Sequence, residues 1–192
     1  MTQSGSTPGG SVAGSDRLRL FIGLRLPEDA RERLADWQSD VFADARDVRV
    51  VTPGNVHVTL AFLGHRPAVE VDAIGRCLRD ACARAVPPGL AVRVYRETRS
   101  VGMLVLDDED GRATALAADL HERLEALGVY EREKRPWLPH LTVVRFRRPP
   151  RLRPSLPDLG EVSPSEAAVY HSLLRRGGAQ YEALETVRLG GG

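Results

Sequence analysis

Two short segments of the chain each place a histidine and a threonine two residues apart in an otherwise apolar run. The first, NVHVTLAFLG, carries His57 and Thr59, and the second, PHLTVVRF, carries His140 and Thr142. Residues i and i+2 of a β-strand point to the same face of the sheet. Each segment is therefore expected to present one imidazole and one hydroxyl side by side, with the intervening apolar residues facing the core.

Two such pairs in one cleft would suit phosphoryl transfer. One imidazole can act as general base and the other as general acid near neutral pH. The two hydroxyls can donate hydrogen bonds to the non-bridging phosphate oxygens and stabilise the charge of the transition state. This chemistry needs no metal, because the imidazoles move the protons. The alternative is that both histidines are ordinary core or surface residues and that the repeat is accidental.

The elements that must position these residues also repeat. A strand and a helix precede each motif, which lies on a second strand, and Phe21 precedes His57 by the same 36 residues that separate Leu104 from His140. This indicates a weak internal duplication of two β-α-β halves. Short strands alternating with amphipathic helices predict a mixed α and β fold. The apolar and polar alternation within the strands favours largely antiparallel sheets.

Apolar periodicity predicts seven strands and three helices. Strands are expected at 17–26, 56–64, 90–97, 100–108, 140–146, 166–174 and 181–189, and helices after Pro27, around 74–85 and at 109–128. On this pattern Trp37 and Phe62 are core residues. His65 and His121 are expected to be solvated, and His171 is expected to be a bystander in the closing strand.

Composition is that of an ordinary globular protein, with 42% hydrophobic residues, 28% charged residues and a net charge of +1 over 192 residues. We predict a disordered tail at 1–16 and a single bilobal domain at 17–192. Cys77 and Cys82 lie five positions apart in one predicted helix, a poor offset for a disulfide, which favours a cytoplasmic location. The chain begins without signal-peptide features, and no apolar run reaches the length of a membrane span.

The motifs resemble those of a known family. NVHVTLAFLG and RPWLPHLTVVR are similar to the paired His-x-Thr motifs of the two-histidine (2H) phosphoesterases, in the branch of the RNA 2′,3′-cyclic phosphodiesterases, also called 2′-5′ RNA ligase-like proteins. The opening RLFIGLRLPEDARERL resembles the first strand and helix of that branch. AVYHSLLRRGGAQYEAL resembles its closing hairpin.

This resemblance implies an α+β bilobal fold, in which two pseudo-symmetric, mostly antiparallel sheet lobes carry helices on the outside and flank a central cleft. It also implies hydrolysis of RNA 2′,3′-cyclic phosphate ends to 2′-phosphomonoesters without a metal or other cofactor. The expected partners are RNA ends, such as tRNA fragments, or small cyclic nucleotides. We expect no membrane association and a monomer.

The resemblance also implies roles for single residues. His57 would be the proton donor and His140 the proton acceptor, while Thr59 and Thr142 would bind the phosphate. Arg145 matches a substrate-binding arginine of the family, yet strict alternation from His140 points it away from the histidine face. Either the strand ends or bulges before Arg145, or this arginine is structural.

A basic loop precedes the second motif. Its Arg135 and Trp137 are candidates for binding the RNA end, because an aromatic ring beside cations suits stacked bases. The alternative is a solvated basic surface. The family often has an aromatic residue shortly before the first motif, where this chain reads RVVTPGN. A stacking contact is therefore expected to be missing there.

Other functions use the same residues. The site could join RNA ends through a 2′-5′ linkage, or open a small cyclic nucleotide such as ADP-ribose 1″,2″-cyclic phosphate. A non-catalytic RNA-end binder would have no chemical reason to keep both imidazoles. A metal enzyme is the weakest option, because two distant histidines without carboxylate or thiolate partners provide too few ligands for a metal ion.

Overall fold

The computed structural model describes residues 17–175 and 178–191. The predicted tail at 1–16 lies outside the described residues, as do positions 176 and 177 of the closing hairpin. The strands are β1 (Arg17–Arg25), β2 (Val48–Val50), β3 (His57–Pro67), β4 (Ala91–Glu97), β5 (Val101–Asp107), β6 (His140–Phe146), β7 (Glu166–Arg175) and β8 (Gly178–Arg188). The helices are α1 (Glu28–Val41), α2 (Val71–Cys82) and α3 (Arg112–Ala126).

The strands form a curled sheet with the order β4-β5-β6-β3-β1-β7-β8, and β2 pairs with the part of β6 that extends past β3. Every pairing between named strands in the described chain is antiparallel. One lobe contains β2, β4, β5 and β6, and the other contains β1, β3, β7 and β8. The lobes meet where Val58 of β3 pairs with Leu141 of β6. The expected α+β bilobal fold is confirmed.

Local sequence explains where the helices begin and end. Pro27 precedes α1, whose first turn carries Glu28 and Asp29, acids that complement the partial positive charge of a helix N-terminus. Gly128 follows α3 with a φ of 76°, a left-handed conformation that glycine adopts without strain and that commonly ends a helix. Ile74 and Leu78, one turn apart on α2, are fully buried. The predicted helices and their stop are confirmed.

The core lies between the curled sheet and the helices. Every second residue of a strand contributes to it, as do Leu20, Ile22 and Leu24 of β1, which are fully buried. Trp37 is buried as predicted. Among the described helices, none combines the length and the apolar character needed to cross a membrane.

Two sequence predictions differ from the structure, and one strand was not predicted. Phe62 is not a core residue, since 49% of it is exposed. His121 is not solvated, since only 5% of it is exposed on α3. The short strand β2 was not predicted; it forms because the backbone of Val48–Val50 pairs with the free edge of β6. His65 is exposed, as expected.

Candidate active site

The two motifs lie side by side at the centre of the sheet. The antiparallel pairing of Val58 with Leu141 brings His57 and Thr59 next to His140 and Thr142. These four side chains are all half-buried, whereas the apolar residues between them are buried on the opposite face. The face expected from two-residue periodicity is therefore the one that forms, and the structure brings the two pairs together on it.

A cavity of about 280 Å³ opens on this face. Its lining is contributed by both lobes. The lining residues are Arg19, Phe21, Val51, Asn55, His57, Thr59, Phe62, Thr142, Arg145, Ser172 and Tyr181. Within the described chain this lining holds two arginines and no carboxylate, and neither arginine forms a salt bridge there. The cavity is therefore suited to an anion.

Both imidazoles are oriented in the same way. His57 Nδ1 lies 2.8 Å from the carbonyl oxygen of Asn55, and His140 Nδ1 lies 2.9 Å from the carbonyl oxygen of Leu138. A carbonyl oxygen only accepts hydrogen bonds, so in each neutral ring the proton sits on Nδ1. Nε2 of each ring is then left with a lone pair that can accept a proton from a substrate group.

His57 is packed in an aromatic cluster. Its ring stacks on Phe21 at a centroid distance of 4.6 Å and meets Tyr181 edge-on at 5.4 Å. Burial lowers the pKa of His57 from 6.5 to about 4. The Asn55 carbonyl opposes this shift, and the charges of His140 and Arg145 add to it. In the unliganded site His57 is therefore neutral at pH 7, and its electrostatic coupling to His140 reflects how close the two motifs are.

Space for the His57 ring depends on a glycine of β1. A Cβ placed on Gly23 would lie 3.0 Å from His57 Cδ2 and 3.1 Å from the carbonyl oxygen of Val58. Gly23 pairs with Thr59 across the β1–β3 ladder. Any side chain larger than hydrogen at this position would crowd the imidazole and the Val58 carbonyl, so that the ring or the strand must shift.

Arg145 reaches the cavity because β6 contains a bulge. Gly102 of β5 pairs with Val144 and Met103 pairs with Thr142, so Val143 is an extra residue without a partner in this ladder. A bulge of this kind reverses the alternation of side chains beyond it. Thr142 and Arg145 consequently share one face, and of the alternatives open from the sequence the bulge is the one found.

A matching bulge in β3 brings Phe62 to the same cavity. Ile22 pairs with Ala61 and Gly23 pairs with Thr59, which leaves Leu60 as the extra residue. The guanidinium carbon of Arg19 lies 4.9 Å from the centre of the Phe62 ring, and Arg19 also donates a 3.0 Å hydrogen bond to the Ser172 hydroxyl. The exposed ring of Phe62 and this arginine form one wall of the cavity.

Two predicted substrate-binding residues lie elsewhere. Arg135 is exposed in the loop before β6 and faces Glu133 at 3.4 Å. The indole N–H of Trp137 donates a 3.0 Å hydrogen bond to the carbonyl oxygen of Thr59, and the half-buried ring packs against the core. The structure does not bring these two residues into the cavity lining, and Trp137 instead connects the second lobe to the first motif.

Several lining residues were missed by sequence reasoning. Arg19 and Phe21, two residues apart on β1, line the cavity, and so does Ser172 of the neighbouring β7. Tyr170, two residues before Ser172, lies outside the lining and stacks on Phe21 at a centroid distance of 4.9 Å. The sequence did contain a signal for these residues, because polar or aromatic residues two positions apart on an apolar strand point to the same face. This signal could not be interpreted without knowing that β1 and β7 are neighbours of the motif strand. Tyr181 is contributed by β8, the edge strand of this lobe.

The cavity lining holds one imidazole, two threonine hydroxyls and two arginines, and the second imidazole, His140, lies next to it on the neighbouring strand, outside the lining itself. This arrangement can therefore bind a phosphate group, deliver a proton to one of its ester oxygens and remove a proton from an attacking nucleophile. Among residues 17–175 and 178–191, no group of three or more His, Cys, Asp or Glu side chains is placed to hold a metal ion.

Comparisons with known proteins agree with this geometry. The model of the LigT-like phosphoesterase family matches residues 24–94, a segment that contains the first motif. The RNA 2′,3′-cyclic phosphodiesterase of Thermus thermophilus is 34% identical over 185 residues, which cover 91% of this chain and 91% of that protein. The RNA 2′,3′-cyclic phosphodiesterase of Escherichia coli K12 is 26% identical over 176 residues, or 89% of this chain and 96% of that protein.

Solved structures show the same fold. The crystal structure of TT0787 of Thermus thermophilus superimposes with a TM-score of 0.77 at 28% identity, covering 91% of this chain and 99% of that one. The crystal structure of E. coli LigT complexed with 3′-AMP superimposes with a TM-score of 0.76 at 24% identity, with the same coverage.

Proposed function

Because the chain belongs to the LigT-like phosphoesterase family, as its 34% identity to a relative along 91% of its length shows, we propose that it is an RNA 2′,3′-cyclic phosphodiesterase. It would open a terminal 2′,3′-cyclic phosphate of RNA to a 2′-phosphomonoester. The observation that supports this proposal is the pairing of Val58 with Leu141, which brings the two His-x-Thr pairs next to each other beside a cavity lined by His57, Thr59 and Thr142.

The reaction is a single displacement at phosphorus. His140 Nε2 takes a proton from water as the water oxygen attacks the phosphorus atom. The bond between phosphorus and the 3′ oxygen breaks, and His57 Nε2 gives a proton to that oxygen. The product carries a 2′-phosphate and a free 3′-hydroxyl, and the two histidines together return to their starting protonation once a proton passes between them through solvent.

The substrate itself prepares His57 for the acid role. Its pKa of about 4 in the unliganded cavity reflects burial together with the nearby cations. A bound phosphodiester brings a negative charge next to the imidazole, and a neighbouring opposite charge raises the pKa of the ring and so favours its protonated form. The proton on His57 is therefore stabilised mainly when a substrate is present.

The remaining polar groups bind the phosphate. Thr59 and Thr142 place hydroxyl donors on the same face as the imidazoles, and Arg145 supplies a cation that has no carboxylate partner among the described residues. Charge-assisted hydrogen bonds of this kind strengthen as charge accumulates on the non-bridging oxygens in the transition state. The Phe62 ring, exposed beside Arg19, provides a flat apolar surface for a nucleobase.

The test uses a short RNA that ends in a 2′,3′-cyclic phosphate, incubated with EDTA present. We expect conversion to the 2′-phosphate, observed by phosphorus NMR or by the mobility of the product. His57→Ala and His140→Ala should each lower kcat by at least about 100-fold, the scale of general acid–base catalysis. His65→Ala, an exposed histidine outside the cavity lining, is the matched control. Full activity of either active-site variant, or activity that EDTA abolishes, would contradict the proposal.

A second experiment separates the two histidines. Sulfur in place of the 3′ bridging oxygen leaves without a proton, so the general acid becomes dispensable. We expect His57→Ala to recover most of its activity on this substrate, whereas His140→Ala should stay impaired. The reverse pattern would exchange the two roles. Sizing the products when a 5′-hydroxyl RNA is added to the same reaction would detect 2′-5′ joining.

A further inference from the structure

Three polar side chains are buried in the described part of the chain, and two of them are not part of the cavity lining. Gln38 on α1 is 3% exposed and His121 on α3 is 5% exposed, while the third, Ser172, lines the cavity. Gln38 and His121 stand 83 residues apart, the same separation as His57 and His140. They therefore occupy corresponding positions in the two duplicated halves.

Gln38 binds the bulge of β6. Its side-chain amide donates a 2.8 Å hydrogen bond to the carbonyl oxygen of Val143 and a 2.9 Å hydrogen bond to that of Val51. The backbone N–H of Val51 also donates to the Val143 oxygen at 2.9 Å. Val143 is the extra residue that lets Thr142 and Arg145 share a face.

His121 binds the bulge of β3 in the same way. Its Nε2 lies 2.8 Å from the carbonyl oxygen of Leu60, so this nitrogen carries the proton and donates it. The ring is held in place by stacking on Tyr130 at a centroid distance of 4.7 Å. Leu60 is the extra residue that brings Thr59 and Phe62 onto one face.

These contacts meet a physical requirement of the bulges. An extra residue in a strand has no partner in the local ladder, and a buried carbonyl without a hydrogen bond is costly. A side chain from outside the ladder donates to the carbonyl oxygen of each extra residue, and at Val143 this hydrogen bond adds to the one from the backbone of Val51. The donors are exchanged between the halves, because the helix of each half binds the motif strand of the other.

We propose that Gln38 and His121 are positioning residues, which hold the two bulges and thereby keep Arg145 and Phe62 pointing into the cavity. The assignment of the effect to turnover rests on the proposed function, whereas the effect on anion binding does not. Gln38 acts through Arg145 and is expected to govern phosphate affinity. His121 acts through Phe62 and is expected to govern the affinity for the nucleobase part of a ligand.

The test for Gln38 is a pair of variants in two backgrounds. Gln38→Met keeps the volume and removes both donors, whereas Gln38→His keeps a donor by introducing the counterpart from the other half. We expect Gln38→Met to lower kcat/KM and inorganic phosphate affinity about tenfold, the scale of a sub-ångström displacement. In an Arg145→Met background the same change should lower neither by more than about twofold, and Gln38→His should retain most of the wild-type values.

Protein stability separates positioning from a merely structural role. Gln38→Met is expected to lower the thermal unfolding temperature equally in both backgrounds, while its effect on phosphate affinity depends on Arg145. An equal loss of phosphate affinity in both backgrounds would overturn the inference. If the wild type does not hydrolyse cyclic phosphate ends but phosphate affinity follows the expected pattern, the proposed function fails and the positioning role stands.

His121 is tested by two amides that differ in reach. His121→Gln places its amide nitrogen near the position of Nε2 and should retain function, whereas His121→Asn is too short to reach the Leu60 oxygen. We expect His121→Asn to raise the dissociation constant of 2′-AMP about tenfold without changing that of inorganic phosphate. In a Phe62→Ala background this difference should vanish. A change in phosphate affinity equal to that for 2′-AMP would overturn this half of the inference.

Discussion

The low pKa of His57 makes the stability of the protein depend on pH in a defined way. The ring is stacked on Phe21 and bordered by Tyr181, and burial lowers its pKa from 6.5 to about 4. In the unfolded chain the imidazole returns to an ordinary value near 6.5. The imidazole therefore binds a proton more weakly in the folded protein than in the unfolded chain.

The sign and size of the effect follow from this difference. Above pH 6.5 the ring is neutral in both states, and His57 causes no pH dependence. As the pH falls through 6.5 the unfolded chain binds a proton first, so the free energy of unfolding decreases until the folded ring also titrates near pH 4. The interval from 6.5 to about 4 corresponds to a loss of about 3 kcal/mol, of which about half is lost by pH 5.5.

The assay is urea unfolding of the wild type and His57→Gln at pH 7.5, 5.5 and 4, in buffers without phosphate. Other titrating groups contribute equally to both proteins, so the difference between the two profiles isolates His57. We expect the wild type to lose about 3 kcal/mol more than the variant between pH 7.5 and pH 4. His65→Gln, which alters an exposed histidine, should follow the wild-type profile.

Parallel profiles for the wild type and His57→Gln would refute this reasoning. A proton NMR titration gives an independent check, because the His57 ring signal should shift near pH 4. A midpoint near 6.5 would show that the aromatic cluster does not exclude solvent from the ring, and the expected loss of stability would then be absent.

Three further predictions concern the cavity. Gly23→Ala should lower kcat/KM about tenfold by displacing the His57 ring, while Gly54→Ala, whose added Cβ meets no atom within 4 Å, should be neutral; equal rates for both variants would contradict the contact. Arg145→Met should weaken inorganic phosphate binding about 10- to 100-fold, as measured by calorimetry, and Arg147→Met, which alters an arginine outside the cavity lining, should leave it unchanged. Equal phosphate affinity of the two variants would show that the anion does not bind at Arg145. Phe62→Ala should raise KM for nucleotides about tenfold and leave phosphate affinity unchanged, and an unchanged KM would show that the base does not stack there.

The sequence alone determined the parts of the site that depend on local geometry. Two-residue periodicity predicted that His57 and Thr59 share a face, as do His140 and Thr142, and the half-burial of all four side chains agrees. The boundaries of the helices also follow from local signals such as Pro27 and Gly128. These features need only neighbouring residues, so a single sequence is enough to predict them.

Only the tertiary structure decided which further residues join them. Phe62 and Arg145 reach the cavity because the strands bulge at Leu60 and Val143, and periodicity taken alone predicted the opposite face for both. The carbonyl oxygens of these extra residues accept hydrogen bonds from side chains 61 and 105 positions away in the chain. No local pattern reveals such partners, because the free energy that favours a bulge arises only when the two halves pack against each other. The same packing buries His121 and turns Trp137 toward the backbone of Thr59. The motif residues could therefore be identified from the sequence, whereas the residues that surround them are determined by the fold.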